Sequence, residues 1–168
     1  MTPAPSRGGR SHSIITRMII ALIQQHAGND RGDNLQRGLA AAATAARRGA
    51  RLICFAELAF EPFYPQDEAS GDVGALAEEI PGPVTNAFAE LARTHGVVVV
   101  LNLFERDGAL TYDTSPVLGA DGALLGRTRM VHITDYACFH EKGYYTPGDL
   151  GVPVYDTPAG RIGVAICY

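Results

Sequence analysis

The chain has 168 residues, of which 46% are hydrophobic and 19% are charged, and its formal net charge at pH 7 is -4. This length fits one domain with a sizeable core, and the composition is typical of a soluble globular protein. The acidic balance gives no electrostatic reason to expect a nucleic acid or an anionic membrane as a partner.

The N-terminal residues combine a polar segment with a short apolar run. Residues 1–13 are rich in Pro, Gly and Ser, and we expect them to be a disordered tail that precedes a domain over 14–168. The apolar run over 18–23 is too short to span a membrane, and it lacks the length and cleavage site of a signal peptide. No association with a membrane is therefore predicted.

Strands and helices alternate in the next part of the chain. Residues 17–24 predict a first buried strand, and a helix follows with Asp33 as its N-cap and Gly49 closing it. Residues 51–56 predict a second strand. The near-continuous apolar character of that strand suits a sheet that is covered on both faces.

A second helix and a group of strands are predicted for the middle of the chain. The helix covers 84–95 and ends at Gly96, and the run VVVVLNLF over 97–104 predicts a third buried strand. The Asp-Gly pairs at 107–108 and 121–122 lie between strand-like runs and predict two hairpins.

The last part of the chain consists of a long loop and two more strands. The loop covers 134–151, and the strands cover 152–156 and 161–167. The order of all elements predicts an α/β layered fold with a mixed sheet. The last strand is apolar and should be central, although no helix follows it to cover the sheet.

The three cysteines bear on location and on metal binding. Cys54, Cys138 and Cys167 are odd in number, widely spaced and without a CxxC pattern. This argues against a disulfide framework or a zinc site and is consistent with a reducing cytoplasm. No cluster of His, Cys or Asp has the spacing of metal ligands, so we predict neither a metal nor an organic cofactor.

Two strand ends carry side chains that can take part in catalysis. Glu57 directly follows the second strand and Cys167 ends the last one. If these strands are neighbours, the carboxylate could take the thiol proton as the sulfur attacks an acyl carbon. A solvated strand-end acid and an inert buried thiol explain the same positions, and Cys54 is assigned to the core.

Four segments together resemble the signatures of one family. They are FAELAFEPFYP (55–65), GRTRMVHIT (126–134), FHEKGYYTPGDLG (139–151) and GRIGVAICY (160–168). In this order they resemble the carbon–nitrogen hydrolase, or nitrilase, superfamily. The resemblance is closest to the amidase branches that act on N-carbamoyl compounds and aliphatic amides.

The resemblance implies an α-β-β-α sandwich and a Glu-Lys-Cys catalytic set with a second glutamate. It implies that Glu57 is the general base, Glu141 the second glutamate and Cys167 the nucleophile. Their substrate would be a small amide, N-carbamoyl compound or nitrile, hydrolysed through a thioester without a cofactor. Subunits of this family commonly pair, so we expect a homo-oligomer for the full-length parent.

The chain departs from the family pattern at the catalytic lysine. Met130 occupies the lysine position, and Thr128 and Thr134 replace a tyrosine and a proline. Lys142 and Arg129 are the possible stand-ins, although Arg129 should point to the opposite side of the strand from Met130. Met130 could equally be a core residue in a protein without the lysine function, which leaves a non-catalytic binding protein or partner subunit as the alternative.

The resemblance also implies that the family domain continues beyond the nucleophile. The chain would then hold only about the first half of the sandwich, and we expect little or no activity from these 168 residues alone. Four aromatic residues near the matched segments could contact substrate, although core packing explains them equally well. They are Phe63, Tyr64, Tyr144 and Tyr145.

Overall fold

A six-stranded mixed sheet forms the centre of the chain. The computed structural model describes residues 17–167, so the predicted tail over 1–13 and the last residue, Tyr168, lie outside the described residues. The strands are β1 (Ile19–Ile23), β2 (Ala50–Phe55), β3 (Val98–Val100), β4 (Leu103–Asp107), β5 (Leu110–Leu118) and β6 (Leu124–Arg129). β1, β2 and β3 run parallel, and β5 pairs antiparallel with β3, β4 and β6. The predicted α/β fold with a mixed sheet is confirmed.

Two helices cover one face of this sheet. α1 (Arg31–Arg47) and α2 (Pro83–His95) pack on each other and on the sheet. The prediction of Asp33 as N-cap was wrong, because Asp30 is the N-cap and its side chain accepts a hydrogen bond from the N–H of Asp33. The core between the two layers includes three mutually contacting rings, Phe55, Phe60 and Phe88, with centroids 5.0 to 5.2 Å apart.

The predicted third strand is divided into β3 and β4 by a break at residues 101–102. Both parts keep the same register against β5, since Val100 lies opposite Val117 and Leu103 opposite Thr114. At the break, the N–H of Leu101 donates to the carbonyl of Pro116, but Pro116 has no N–H to return. The interruption therefore comes from β5 and leaves the strand direction unchanged.

A hairpin covers part of the second face of the sheet. β9 (Val154–Thr157) and β10 (Gly160–Gly163) pair with each other, and they pack through Tyr155 and Ile162 on the sheet residues Val98, Val100 and Val117. Helices, central sheet and hairpin thus form three successive layers. The remaining elements are a short pair, β7 (Asp135–Tyr136) and β8 (Phe139–His140), and three 3₁₀ helices at Tyr64–Gln66, Val73–Leu76 and Glu141–Gly143.

The prediction of a central strand over 161–167 was wrong. β10 ends at Gly163, and in the described residues its only strand partner is β9. In the hairpin register the residue opposite Val164 is Pro153, which cannot donate to the ladder, so regular pairing ends there. None of the helices within residues 17–167 is long and apolar enough to cross a membrane.

Candidate active site

Two rows of side chains cross the sheet on the face turned away from the helices. Val97, Val99 and Leu101 pack toward the helices, and Val98 and Val100 pack toward the β9–β10 hairpin. Because side chains alternate along a strand, Asn102 and Phe104 share the hairpin side with Val100. Across β4, β5 and β6 the rows are Asn102–Ser115–Thr128 and Phe104–Asp113–Met130.

Glu57 lies at the edge of these rows, directly after β2. The next residue, Leu58, has a φ of 46°, and its N–H donates to Oδ1 of Asn102 at 2.7 Å. Nδ2 of Asn102 donates in turn to Oδ1 of Asp113 at 2.5 Å and to Oγ of Ser115 at 3.2 Å. The buried amide of Asn102 therefore connects the backbone beside Glu57 to β5.

The sequence analysis missed both Asn102 and Asp113. They are 3% and 0% exposed, so they are polar side chains in the interior of the protein. The available signal was their occurrence inside strand patterns, Asn102 within VVVVLNLF and Asp113 within a long strand run. A polar side chain in a buried strand requires a partner, and here the partners are each other and the residues around Glu57.

Three carboxyl groups influence one another at this position. Burial raises the pKa of Glu57, its hydrogen bond with Asp113 lowers it, and the charge of Glu141 raises it. Burial also raises the pKa of Asp113 well above its usual range, and the charge of Glu57 raises it further. Part of the Glu57 side chain stays open to solvent, whereas Asp113 has no exposed surface.

Cys167 and Glu57 line the same cleft, which has a volume of about 200 Å³. Cys167 is exposed and has a φ of 57°, a conformation that is uncommon for a residue with a side chain and is often found at functional sites. Cys54 lies half-buried in the wall of this cleft, packed against the cluster beneath the hairpin. The fold thus brings together the two strand-end residues that the sequence singled out.

Met130 and Cys167 line a second cleft, of about 330 Å³, on the other side of residues 164–167. Met130 is 2% exposed and packs in an apolar cluster with Leu58, Phe104 and Tyr145. This environment agrees with the core role that the sequence left open. It provides no charge at the position where the family pattern has a lysine.

Glu141 is 1% exposed and is held by backbone groups. Its Oε2 accepts a hydrogen bond from the N–H of Thr134 at 3.0 Å, and its carbonyl accepts from the N–H groups of Tyr144 and Tyr145. Thr134 occupies a position where the family pattern has proline, which could not make this bond. The substitution therefore supplies a donor to the buried carboxylate.

Neither possible stand-in directs its charged group into the clefts, although Arg129 is among the residues that line the second one. The guanidinium of Arg129 points to the other face of β6, where it donates to Glu105 at 2.7 and 2.9 Å, to Asp107 at 2.6 Å and to Asp149 at 2.9 Å. It also stacks on a tyrosine ring at 3.7 Å from the centroid. Lys142 is exposed on its 3₁₀ helix and is not among the residues that line either cleft with Cys167.

The four aromatic candidates divide between a pocket and the core. Phe63 lines a third cleft, of about 360 Å³, beside Glu57 and contacts the ring of Phe139 in a tilted arrangement with centroids 5.1 Å apart. Tyr144 and Tyr145 are 7% and 4% exposed and pack around a phenylalanine ring. Tyr64 is half-buried at the edge of that cluster. Their positions favour core packing for the three tyrosines and leave Phe63 at a surface that a ligand can reach.

Within residues 17–167, no group of three or more His, Cys, Asp or Glu side chains is arranged to hold a metal ion.

Comparison with known proteins agrees with this arrangement. The carbon–nitrogen hydrolase family model matches residues 19–168. The chain is 30% identical over 151 residues to a citrullinase from Francisella tularensis subsp. tularensis, covering 89% of this chain and 52% of the relative. It is 36% identical over 123 residues to an N-carbamoylputrescine amidase from Solanum lycopersicum, covering 73% of this chain and 41% of the relative.

A solved structure shows a similar fold. It is a variant of the amidase from Nesterenkonia sp. AN1, described as showing covalent addition of the acetamide moiety of fluoroacetamide at the active site cysteine. The TM-score is 0.75 at 25% sequence identity, and the match covers 90% of this chain and 56% of the amidase. The chain therefore spans about half the length of the proteins it resembles.

Proposed function

Since the chain belongs to the carbon–nitrogen hydrolase family, we propose that its protein hydrolyses a non-peptide C–N bond of a small amide or N-carbamoyl compound, with Cys167 as nucleophile and Glu57 as general base. The observation that carries this proposal is the shared cleft of the two residues. Two relatives support the substrate class, being named citrullinase and N-carbamoylputrescine amidase. A nitrile is a further possible substrate.

The proposed reaction begins with transfer of the Cys167 proton to Glu57 as the sulfur attacks the carbonyl carbon. The protonated Glu57 then gives this proton to the nitrogen as the C–N bond breaks, which releases an amine or ammonia and leaves a thioester. Water attacks the thioester, its proton passes through Glu57 to the departing sulfur, and the acid product leaves. Glu141 contributes negative charge beside Glu57, which raises the pKa of that carboxyl group and makes its carboxylate a stronger base.

The covalent chemistry of a family member supports the role of the thiol. The amidase of similar fold carries its covalent adduct at an active site cysteine. Cys167 is the cysteine of this chain that is both exposed and in a cleft with a carboxyl group of raised pKa. Cys138 is exposed but belongs to the loop between β7 and β8.

The 168-residue chain alone is expected to turn substrate over slowly or not at all. It spans about half the length of its relatives, and the donors that would stabilise the oxyanion are expected beyond Cys167. Met130 adds to this expectation, since loss of one donor to an oxyanion typically raises the barrier by about 2.7–4 kcal/mol. A homo-oligomer and a cytoplasmic location are also proposed for the parent protein.

A second candidate function is binding without turnover. The observation in its favour is Met130, whose apolar surroundings provide no cation at the lysine position. In this alternative the clefts beside Cys167 bind a small amide or carboxylate but do not cleave it.

The test measures the alkylation rate of each cysteine by iodoacetamide, followed by peptide mass spectrometry. An enzyme of this type should show Cys167 reacting faster than Cys54 and Cys138, and an amide ligand should slow only Cys167. In the full-length parent protein, Cys167→Ala should then abolish hydrolysis of an N-carbamoyl substrate, while the control Cys138→Ala should leave it unchanged. Turnover that survives Cys167→Ala would rule out the proposed nucleophile, and ligand protection without any turnover would favour the binding function.

A further inference from the structure

Asp113 is a buried acid that meets a second acid. It lies in the middle of β5 with no exposed surface, and its Oδ1 accepts the short hydrogen bond from Asn102. Its Oδ2 has no amide, hydroxyl or basic donor within the described residues. Asn102 joins Asp113 to the backbone N–H of Leu58, the residue after Glu57, and the carboxyl groups of Asp113 and Glu57 interact directly. Two carboxyl groups can form a hydrogen bond only when one of them carries a proton.

The charges around Glu57 and Asp113 favour protonation of one of the two carboxyl groups. The groups that act on it are Glu141, whose charge is negative, and the neutral amide of Asn102. In the part of the chain that the structure describes, neither member of the pair nor Glu141 forms an ion pair with a basic side chain. Ionisation of both adjacent carboxyl groups is disfavoured without a compensating cation, because they repel each other and Asp113 has no exposed surface through which solvent could screen its charge.

A buried hydroxyl without a partner in the described residues also lies within the electrostatic influence of these acids. Tyr145 is 4% exposed, and its hydroxyl has no hydrogen-bond partner among residues 17–167. Burial raises the pKa of Tyr145, and the charges of Asp113, Glu61, Glu57 and Glu141 raise it further, so the phenol stays protonated among these acids. The site therefore presents an unused O–H donor beside the carboxyl pair.

We propose that Glu57 and Asp113 hold one proton between them, so that Asp113 positions Glu57 and the two carboxyl groups work as a single acid–base pair facing Cys167. This inference rests on the proposed function of Glu57 and Cys167. The shared proton takes the place of the positive charge that a lysine would bring to the position of Met130, directly across the strands from Asp113. Asp113 is a positioning residue, since it acts through Glu57.

The pair changes the proton transfers without changing their balance. In the resting state the pair carries one proton and one negative charge. The thiol proton of Cys167 adds to the free oxygen of Glu57, which makes both carboxyl groups neutral while the sulfur bonds to the substrate carbon. Glu57 then gives that proton to the leaving nitrogen, and the pair returns to one proton. Because the proton held by Asp113 already bonds to Glu57, it lowers the affinity of Glu57 for this second proton, so Glu57 releases that proton readily to the leaving nitrogen.

The first test observes the proton directly, in the 168-residue chain and without substrate. The side-chain carboxyl carbons of Asp and Glu are labelled with ¹³C, and their NMR resonances are followed as the pH rises from acid to neutral. We expect the Glu57 and Asp113 resonances to shift together in two steps, with one step completed only after other carboxyl groups have lost their protons. If both resonances reach the ionised position within the range of ordinary carboxyl groups, the proposal is wrong.

Two isosteric variants, one at each member of the pair, test whether Glu57 and Asp113 share a proton. In Asp113→Asn the amide can still accept from Asn102 and donate to Glu57, so the local hydrogen bonds are kept while the acidic proton is lost. Glu57 should then titrate in one step, at a pH at least about one unit lower than the upper step of the wild type. Glu57→Gln should simplify the titration of Asp113 in the same manner, and the exposed control Asp156→Asn should change neither resonance. A Glu57 titration that is identical in Asp113→Asn and wild type would overturn the proposal.

The pH dependence of Cys167 alkylation separates positioning from a structural role. Asp113→Asn should move the pH midpoint of this reaction, whereas a merely structural role would change its rate at every pH by a similar factor. The outcomes also separate this inference from the proposed function. A shared proton in a protein without turnover would contradict only the function, and turnover with ordinary titration of both carboxyl groups would contradict only the shared proton.

Discussion

Met130→Lys places an ammonium group directly opposite Asp113 and tests the electrostatics of the site. The N–H of Met130 donates to the carbonyl of Asp113 at 2.9 Å, so the two residues form a cross-strand pair on one face of the sheet. The Cβ atoms of such a pair lie about 4.5–5.5 Å apart, which is within reach of a lysine side chain. The new ammonium can therefore contact the carboxyl pair of Glu57 and Asp113.

The expected effect on the carboxyl groups can be estimated from Coulomb's law. At an effective dielectric constant of about 20, an ammonium and a carboxylate 4 Å apart attract by about 4 kcal/mol, and at 6 Å by about 2.8 kcal/mol. These energies correspond to about three and about two pKa units. Desolvation of the ammonium in the apolar cluster around Met130 opposes part of this, so we expect the upper carboxyl titration to fall by at least about one unit.

The assay is the same ¹³C titration, with the free energy of unfolding by urea measured at an acidic and at a neutral pH. The new ammonium should stabilise the protein more at neutral pH, where the pair can release its proton, than in acid. Met130→Leu is the control, since it keeps the apolar volume at a cost below about 1.5 kcal/mol and should leave the titration unchanged. A folded Met130→Lys protein in which both carboxyl groups titrate as in the wild type would refute the reasoning.

Three further predictions concern buried charges elsewhere in the structure. Arg129→Met should lower the free energy of unfolding, measured with urea, by about 3 kcal/mol, because it removes the main partner of the fully buried Glu105. The ion pair between Glu105 and Arg127, at 3.0 Å, remains in this variant. Thr134→Pro should cost about 1.5–3 kcal/mol in the same assay, because it removes the N–H that donates to the carboxylate of Glu141. Burial raises the pKa of Glu61 to about 7, so Glu61 binds more protons in the folded than in the unfolded state and its contribution to stability is lost as the pH rises from about 4.3 to about 7. Glu61→Gln should remove roughly 3 kcal/mol of this pH dependence, as measured by unfolding at pH values below and above that range.

Each of these has a control and a contradicting result. Arg129→Lys should be intermediate because it keeps the charge but loses the planar contacts, and a loss of Cys167 reactivity in folded Arg129→Met would show that the arginine does serve the site. Thr134→Ala keeps the N–H and should cost little, and an equal effect of Thr134→Pro in a Glu141→Gln background would show that the carboxylate is not involved. The control Glu68→Gln, at an exposed position, should leave the pH dependence of stability unchanged. A Glu61→Gln protein with the same pH dependence of stability as the wild type would contradict the role of Glu61.

Much of the layered fold could be predicted from local patterns. The strands β1 and β2, the helix ending at Gly96 and the hairpins at the two Asp-Gly pairs appear where the sequence indicated them. The prediction that the first strand is buried was wrong, because β1 lies at the edge of the described sheet and Leu22 is 78% exposed. These elements are determined by apolar runs, by capping residues and by the turns that glycine permits, all of which act over a few neighbouring residues. The solved structure of similar fold confirms the fold class.

Errors arose where one element depends on another that is distant in sequence. The break between β3 and β4 comes from Pro116 on β5, and the early end of β10 comes from Pro153 on the other side of its hairpin. Neither position can be recognised as a partner from the strand that it interrupts. The error at the N-cap was local instead, since the side chain of Asp30 accepts from the N–H of Asp33 three residues later, as an N-cap does.

For the candidate site, the sequence alone supplied Glu57, Glu141 and Cys167 through their resemblance to family segments, and it recognised the missing lysine at Met130. Only the tertiary structure brought Asp113 beside Glu57, placed the guanidinium of Arg129 on the opposite face of the sheet, and showed three acids with no described cation among them. The physical reason is that the sequence gives the type of each side chain directly, whereas the interaction between charges depends on their distance and burial. Distance and burial are set by strand order and register, which connect residues far apart in the chain.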